Sequence, residues 1–428
     1  MTALAHARRV AAATPDTRNR YVDFLRAVSI LAVVVGHWLI AAPYIANGEI
    51  DGINLLAHSP WTQWLTWVFQ VMPVFFMVGG YSNAASWRAS AVKGHDYGTW
   101  LTGRLRRLLV PTAALVAVWA VLGIGLTAAN LDPQLLRIGS QSAVIPVWFL
   151  AVYVAIVALT PVLSAAWGRW DWASIAALAG AALVVDLLTA SHGWVGLLNF
   201  GFVWAGVSQL GTAWQRGRIG GRSALLLAAI TTSIVIVLVS SGSYPISMVG
   251  VPGAVETNNS PPTLALMMFG LAQTSLLLAM APAARRMLDR ARVWTMTVLV
   301  NGMIMTLYLW HLTAMVLLIG ASMLVGGVGF EIMPGTGTWW MTRPVWLVVM
   351  AVATVPFLLI FRRFDRMDPM PDGIVVRPVV ALAVMAAGCL GMALLAGGGI
   401  GGPFFGINIV AVLLVLGAVG ALRRLSHG

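Results

Sequence analysis

Apolar residues along this chain fall in long uninterrupted blocks, with no alternation and no narrow amphipathic stripe. A helix that crosses a bilayer needs about 20 mostly apolar residues. Twelve stretches meet that length: 22–42, 64–87, 107–128, 144–165, 172–190, 195–214, 222–241, 262–282, 295–322, 342–361, 376–397 and 403–422. Continuous blocks favour helices over a barrel, whose strands alternate apolar with polar positions. The pattern predicts an all-α, polytopic integral membrane bundle of about 12 transmembrane helices. Residues 1–20 are polar and basic and read as a tail. The apolar stretch after them has the length of a signal peptide. It contains Asp23, Arg26 and His37, however, and reads as a retained first helix.

Composition agrees: 59% of residues are hydrophobic and 9% charged, with a mean hydropathy of +0.87. Soluble domains carry about 25% charged residues, so a soluble enzyme, a disordered chain and a fibrous repeat are excluded. The net charge of +12 would suggest nucleic acid in a soluble protein. Its placement says otherwise. With the N-terminus in the cytoplasm, all of the 26 Lys and Arg residues except Arg137 and Arg343 fall on the inner side of the twelve spans. That is the positive-inside pattern. It predicts both termini in the cytoplasm of a cell (plasma or inner) membrane, contact of basic loops with anionic lipid, and no nucleic-acid partner. The single cysteine, Cys389, allows neither a disulfide within the chain nor a thiolate metal site. No His/Asp/Glu spacing suggests a metal, and none is expected. The longest outer loops, 43–63, 242–261 and 323–341, are large enough for a lid or vestibule. The GGGIGG run at 397–402 lacks the Lys-Ser/Thr of a phosphate loop and reads as a turn.

Ionisable residues inside such spans are costly and point to function. Arg26 and His37 are eleven positions apart in the first helix, three turns, so they share a face about 16 Å apart along the axis. Asp23 lies near the same stripe. The bland alternative is an Asp23–Arg26 ion pair and a His37 hydrogen-bonded between helices. At 104–112, RLRRLLVPT sets Arg104 and Arg107 one turn apart, able to face one anion with planar forks; an ordinary positive-inside cluster looks the same. In the ninth span, Asn301, Tyr308 and His311 are spaced to fall on one side, as acceptor contacts or as polar contacts between helices. Asp186 is a lone intramembrane carboxylate that could pair with a buried His or Arg. His58, His95 and His192 fall in loops and read as solvated.

Several of these segments resemble one family. YVDFLRAVSILAVVVGH is similar to the opening motif of membrane acyltransferase family 3, in which an Arg and a His with ten residues between them begin the first helix; Arg26 and His37 fit. PVFFMVGGYSNAASW, 73–87, resembles its second-helix motif, with Gly79 where a Ser is usual. Arg104 and Arg107 fit its Arg-x-x-Arg pair, PVWFLAVYVAIVALTPVL at 146–163 its Trp-Phe-Leu helix, and LYLWH at 307–311 its Tyr-Leu-x-His motif. The matches keep the family's order over about residues 20–365. This divides the chain into a tail (1–20), a ten-helix core (21–365) and two additional helices (366–428). The resemblance implies transfer of an acyl group, commonly acetyl, from cytoplasmic acyl-CoA to a hydroxyl of a carbohydrate or lipid-linked glycan at the cell envelope.

Joined to the residues, this gives an expected mechanism. Arg104 and Arg107, with Arg26, would meet the phosphates of acyl-CoA. Its flexible arm would run along the first helix. His37 would meet the thioester as general base or as nucleophile, with Asp23 orienting Arg26, so that His37, Arg26 and Asp23 are the expected catalytic residues. Two other classes fit twelve helices: a secondary transporter, against which stands the absence of a repeat between 22–214 and 222–422, and a non-catalytic envelope scaffold.

Overall fold

A computed structural model of the chain describes residues 3–46, 49–52, 55–250, 257–367, 370–371 and 373–426; part of the 242–261 loop lies outside the described residues. In chain order, α1 (Ala3–Ala12) and α2 (Arg20–Ile40) precede a small antiparallel hairpin of β1 (Pro43–Ala46) and β2 (Glu49–Gly52). Short helices α3 (Leu55–His58) and α4 (Thr66–Phe69) lead into α5 (Met72–Val92), α6 (Tyr97–Ala128), α7 (Pro133–Ala143), α8 (Ile145–Ala158) and α9 (Thr160–Trp170). Then come α10 (Trp172–Thr189), α11 (Asn199–Gln215), α12 (Gly221–Ser240), α13 (Leu264–Leu288) and α14 (Ala291–Asn301). The last four are α15 (Ile304–Leu324), α16 (Gly337–Phe361), α17 (Pro378–Gly398) and α18 (Ile409–Leu425).

Among the described residues, nine helices are long and apolar enough to cross a membrane, or ten if α7 and α8, bent by 45°, count as one span. Helices α11 and α18 have 17 residues each, about 26 Å at 1.5 Å per residue, against a hydrocarbon core of about 30 Å. The architecture is that of a polytopic helical membrane protein with one two-stranded ribbon outside the helices.

The expected span at 403–422 is helical only from Ile409, and two others are divided. The stretch 144–165 is divided at Leu159, with Pro161 starting α9; a proline fits the first turn of a helix and not its interior. The stretch 295–322 is divided at Gly302 and Met303 into α14 and α15. Asn301 therefore ends one helix while Tyr308 and His311 belong to the next, and the three do not share a face.

Small residues set the closest approach. The helices α5 and α11 pack along much of their length. A Cβ at Gly80 would meet the Ser208 carbonyl, and one at Gly211 would meet the Met77 carbonyl. Such contacts replace the hydrophobic drive that lipid does not supply. Around them Phe76 stacks on Trp204, ring centroids 4.5 Å apart. The helices α17 and α18 pack on α6 and α8 and join the same buried cluster.

Asn19 starts α2 by accepting from the Tyr21 amide at 3.2 Å, which places Asp23 in the first turn and His37 in the last. Around the His37 end, the loops tie together. The Ile45 amide donates to Phe330 O at 2.7 Å. Trp67 Nε1 donates to Ile246 O at 2.9 Å, and Trp61 lies 5.3 Å from Trp340.

Candidate active site

His37 lines a cleft roofed by these loops, and no Asp, Glu, Lys or Arg lines it among the described residues. Nδ1 of His37 lies 2.8 Å from Nε2 of His311, and the rings stack at 8° with centroids 5.1 Å apart. On its other side His311 Nδ1 is 2.7 Å from the Tyr308 carbonyl. A carbonyl only accepts, so His311 Nδ1 carries a hydrogen. In a neutral ring Nε2 is then the acceptor. His37 Nδ1 must in turn carry the hydrogen it donates. The lone pair of His37 is thereby fixed on Nε2, which no group bonds among the described residues. His311 is fully buried. Trp38 Nε1 donates to the His311 carbonyl at 3.3 Å and Trp346 Nε1 to the Trp38 carbonyl at 2.8 Å, so the two histidine-bearing helices are pinned at this level.

The cleft encloses about 990 Å³, counting its part open to solvent. Val33, Leu39, Phe69, Met72, Trp148 and Trp340 are among its walls. Tyr308 lines it as well, but its hydroxyl donates to Pro146 O at 2.8 Å. That is a contact that locks α15 to the start of α8.

The first-turn end of α2 is built from different material. Asp23 receives Arg18 Nε at 2.6 Å and Nη2 at 3.1 Å, with Arg26 Nη1 farther off at 3.8 Å. Arg18, which the sequence reading passed over, takes the closer place. The Asp23 hydrogen bond raises the Arg18 guanidinium above its ordinary value. Arg26 Nη2 donates to Ser82 Oγ at 3.1 Å, and Arg104 Nη2 donates to the Ser82 carbonyl at 3.1 Å. Two arginines far apart in sequence thus converge on one residue of α5. Arg104 Nε is buried without a partner. Arg104, Arg106 and Arg107 line a second cleft with Lys93 and His95, and no acidic residue lines it among those described. A cluster of guanidiniums with unspent donors suits phosphate oxygens.

Against known families, the profile described as an acyltransferase domain, that of acyltransferase family 3, matches residues 19–363. The chain belongs to the acyltransferase-3 family. No curated protein and no solved structure matches it. Family membership supports a membrane acyltransferase activity in general.

The geometry accounts for where this acyltransferase-3 chain departs from the usual motif. A Cβ at Gly79 would lie 2.7 Å from Cε2 of Tyr153 and 2.9 Å from its hydroxyl. The space of a serine side chain is filled by a tyrosine from α8, held by Phe149 and Phe76, each 5.8 Å away. Ser82, one turn along α5, supplies the hydroxyl that meets Arg26.

The remaining candidates are dispersed. Asn301 Nδ2 donates to the Asp23 carbonyl at 2.9 Å and to Thr297 O at 2.8 Å, which places it beside the Asp23 end and away from Tyr308 and His311. Asp186 does not meet a His or Arg. It accepts from Asn199 Nδ2, the Tyr244 hydroxyl and the Leu264 amide, each at 2.8 Å. It thus caps the start of α13. Burial, with the Asp186 bond, pushes the Tyr244 hydroxyl above its ordinary value. His58, His95 and His192 are exposed.

Proposed function

We propose that the chain transfers an acyl group, acetyl in the simplest case, from cytoplasmic acyl-CoA to a hydroxyl of a cell-envelope carbohydrate or glycolipid. Support comes first from the His37–His311–Tyr308 chain, which leaves a lone pair on His37 Nε2 beside an open, mostly apolar cleft. The basic cleft at the Arg104 end suits the phosphates of the donor, with the orientation that the positive-inside pattern predicts. About 16 Å of helix separates Arg26 from His37, a span for the pantetheine arm.

His37 Nε2 takes the proton of the acceptor hydroxyl as its oxygen bonds the thioester carbon. Collapse breaks the carbon–sulfur bond, and the coenzyme A thiolate leaves with that proton. The imidazolium formed in between keeps its Nδ1 hydrogen bond to His311. It also sits in the last turn of α2, where unpaired carbonyls offer partial negative charge. His37 is the catalytic residue of this scheme, His311 a positioning residue, and Asp23 and Arg26 belong to the donor end.

The test uses vesicles holding wild-type or His37→Ala protein with labelled acetyl-CoA. His37-dependent label in a hydroxyl ester supports the scheme. Equal labelling by both proteins refutes it.

A further inference from the structure

The cleft beside His37 is poorly furnished for a sugar. No Asp, Glu, Lys or Arg lines it among the described residues. Most of the hydroxyl and amide side chains that do line it have given their hydrogens to the protein. The Thr62 hydroxyl donates to Ser59 O at 2.6 Å. Thr66 donates to Gln63 O and accepts from the Met248 amide. Gln70 Nε2 spends its two hydrogens on Met248 O at 2.7 Å and Asn259 Oδ1 at 3.2 Å, while its oxygen accepts from the Met72 amide. Tyr308 is committed to Pro146 O. Of the side-chain donors on the wall among the described residues, the Asn259 amide and the indole N–H groups of Trp148 and Trp340 are left, the last buried without a partner. A polyhydroxylated ring placed here would meet few free donors and would bury most of its hydroxyls without partners, which is costly. Hydrocarbon in the same place gains from leaving water and asks for no partners. Val33, Leu39, Phe69 and Met72 give the cleft an apolar wall suited to hydrocarbon.

We infer that the acceptor is an uncharged lipid alcohol whose hydrocarbon portion lies in this cleft, with its reacting hydroxyl at His37 Nε2. The inference rests on the proposed acyl transfer at His37 and puts a lipid alcohol in place of a carbohydrate as the acceptor. The occupant is the acceptor and not the donor's acyl chain because the donor's anionic end belongs to the basic cleft at the far end of α2, while this cleft opens among the loops. Ester formation is as above: the acceptor oxygen gains the acyl carbon, and coenzyme A leaves as the thiol.

The experiment uses the full chain in proteoliposomes with labelled acetyl-CoA and, separately, labelled decanoyl-CoA. Two acceptor pools from envelope membranes are supplied: the neutral lipid extract and the delipidated water-soluble glycan. The expected result is His37-dependent label from acetyl-CoA in the neutral lipid pool. Val33→Phe, which fills the cleft, and Leu39→Gln, which makes its wall polar, should each lower that label about tenfold while leaving acetyl-CoA binding unchanged. Agreement of the two variants guards against a folding defect in either. Label confined to the glycan pool overturns the inference and leaves the acyltransferase scheme standing. Label in lipid from decanoyl-CoA but not from acetyl-CoA assigns the cleft to the donor chain and also overturns it. No His37-dependent label from either donor in either pool overturns the scheme itself, and the inference with it.

Discussion

At one end of α2, Asp23 and Arg26 sit among guanidiniums, Ser82 and backbone oxygens; at the other, His37 meets His311 beside a wall with no charge among its described residues. Both ends belong to one helix and one motif, yet they solve different problems. The first end concentrates positive charge and leaves donors unspent, as on Arg104 Nε, which favours an anionic ligand. The second has no charge among its described wall residues, spends most of its hydroxyl and amide hydrogens on the protein, and leaves a lone pair on His37. A single rigid helix fixes the distance between them. In the proposed scheme Arg26 and His37 act as two stations on one helix, one for the donor's anionic end and one for the reacting hydroxyl.

Several substitutions would break or sharpen that contrast. The largest effect is expected from His37→Ala, which removes the base; turnover should fall about 10³-fold, within the usual range for general base catalysis, with donor affinity unchanged by equilibrium binding. A drop in donor affinity of the same size would join the two ends into one site.

Next comes His311→Ala, which frees the His37 ring to rotate and to place its hydrogen on either nitrogen. Turnover should fall about 10–100-fold, the scale seen when a group that orients a histidine is lost. His311→Gln, whose amide oxygen can still accept from His37 Nδ1, should recover part of the loss. Equal rates for the two variants would show that His311 only fills space.

Arg104→Ala should raise the KM for acyl-CoA about tenfold or more, the worth of one charge-assisted hydrogen bond, and change kcat little. The smallest effect on transfer is expected from Gly79→Ser. Its side chain meets the Tyr153 ring, so thermal unfolding in detergent should show a loss of about 1–3 kcal/mol, as for overpacking elsewhere. Adding Tyr153→Leu should restore stability. A Gly79→Ser protein as stable as wild type would mean that Tyr153 moves aside freely.

Much of this was legible in the sequence. Arg26 and His37 share a helix at the expected separation, and Arg104 and Arg107 line one basic cleft. The continuous apolar blocks gave the membrane-spanning character because hydropathy reports length and polarity directly. Hydropathy does not report a break. The run around VLVNGMIM stays apolar across Gly302 and Met303, so α14 and α15 read as one helix, and Asn301 was grouped with Tyr308 and His311. The Asn301-Gly302 pair is a turn signal that would have separated them.

The contact of His37 with His311 bridges residues 274 apart in sequence; no local pattern carries it. Ser82 is another such case. A serine in an apolar helix is unremarked until two arginines arrive at it from different helices. The satisfied state of Gln70 and Thr66, on which the character of the cleft depends, comes from a distant loop at Met248.

The measurement that tests the division of labour most directly is a steady-state comparison of wild type, His37→Ala and Arg104→Ala in proteoliposomes, varying acyl-CoA at saturating acceptor. The two-station account predicts that His37→Ala loses kcat with donor binding intact, while Arg104→Ala raises KM with kcat within a few-fold of wild type. If both variants change the same parameter to the same degree, the two ends of α2 act as one site and the account is wrong.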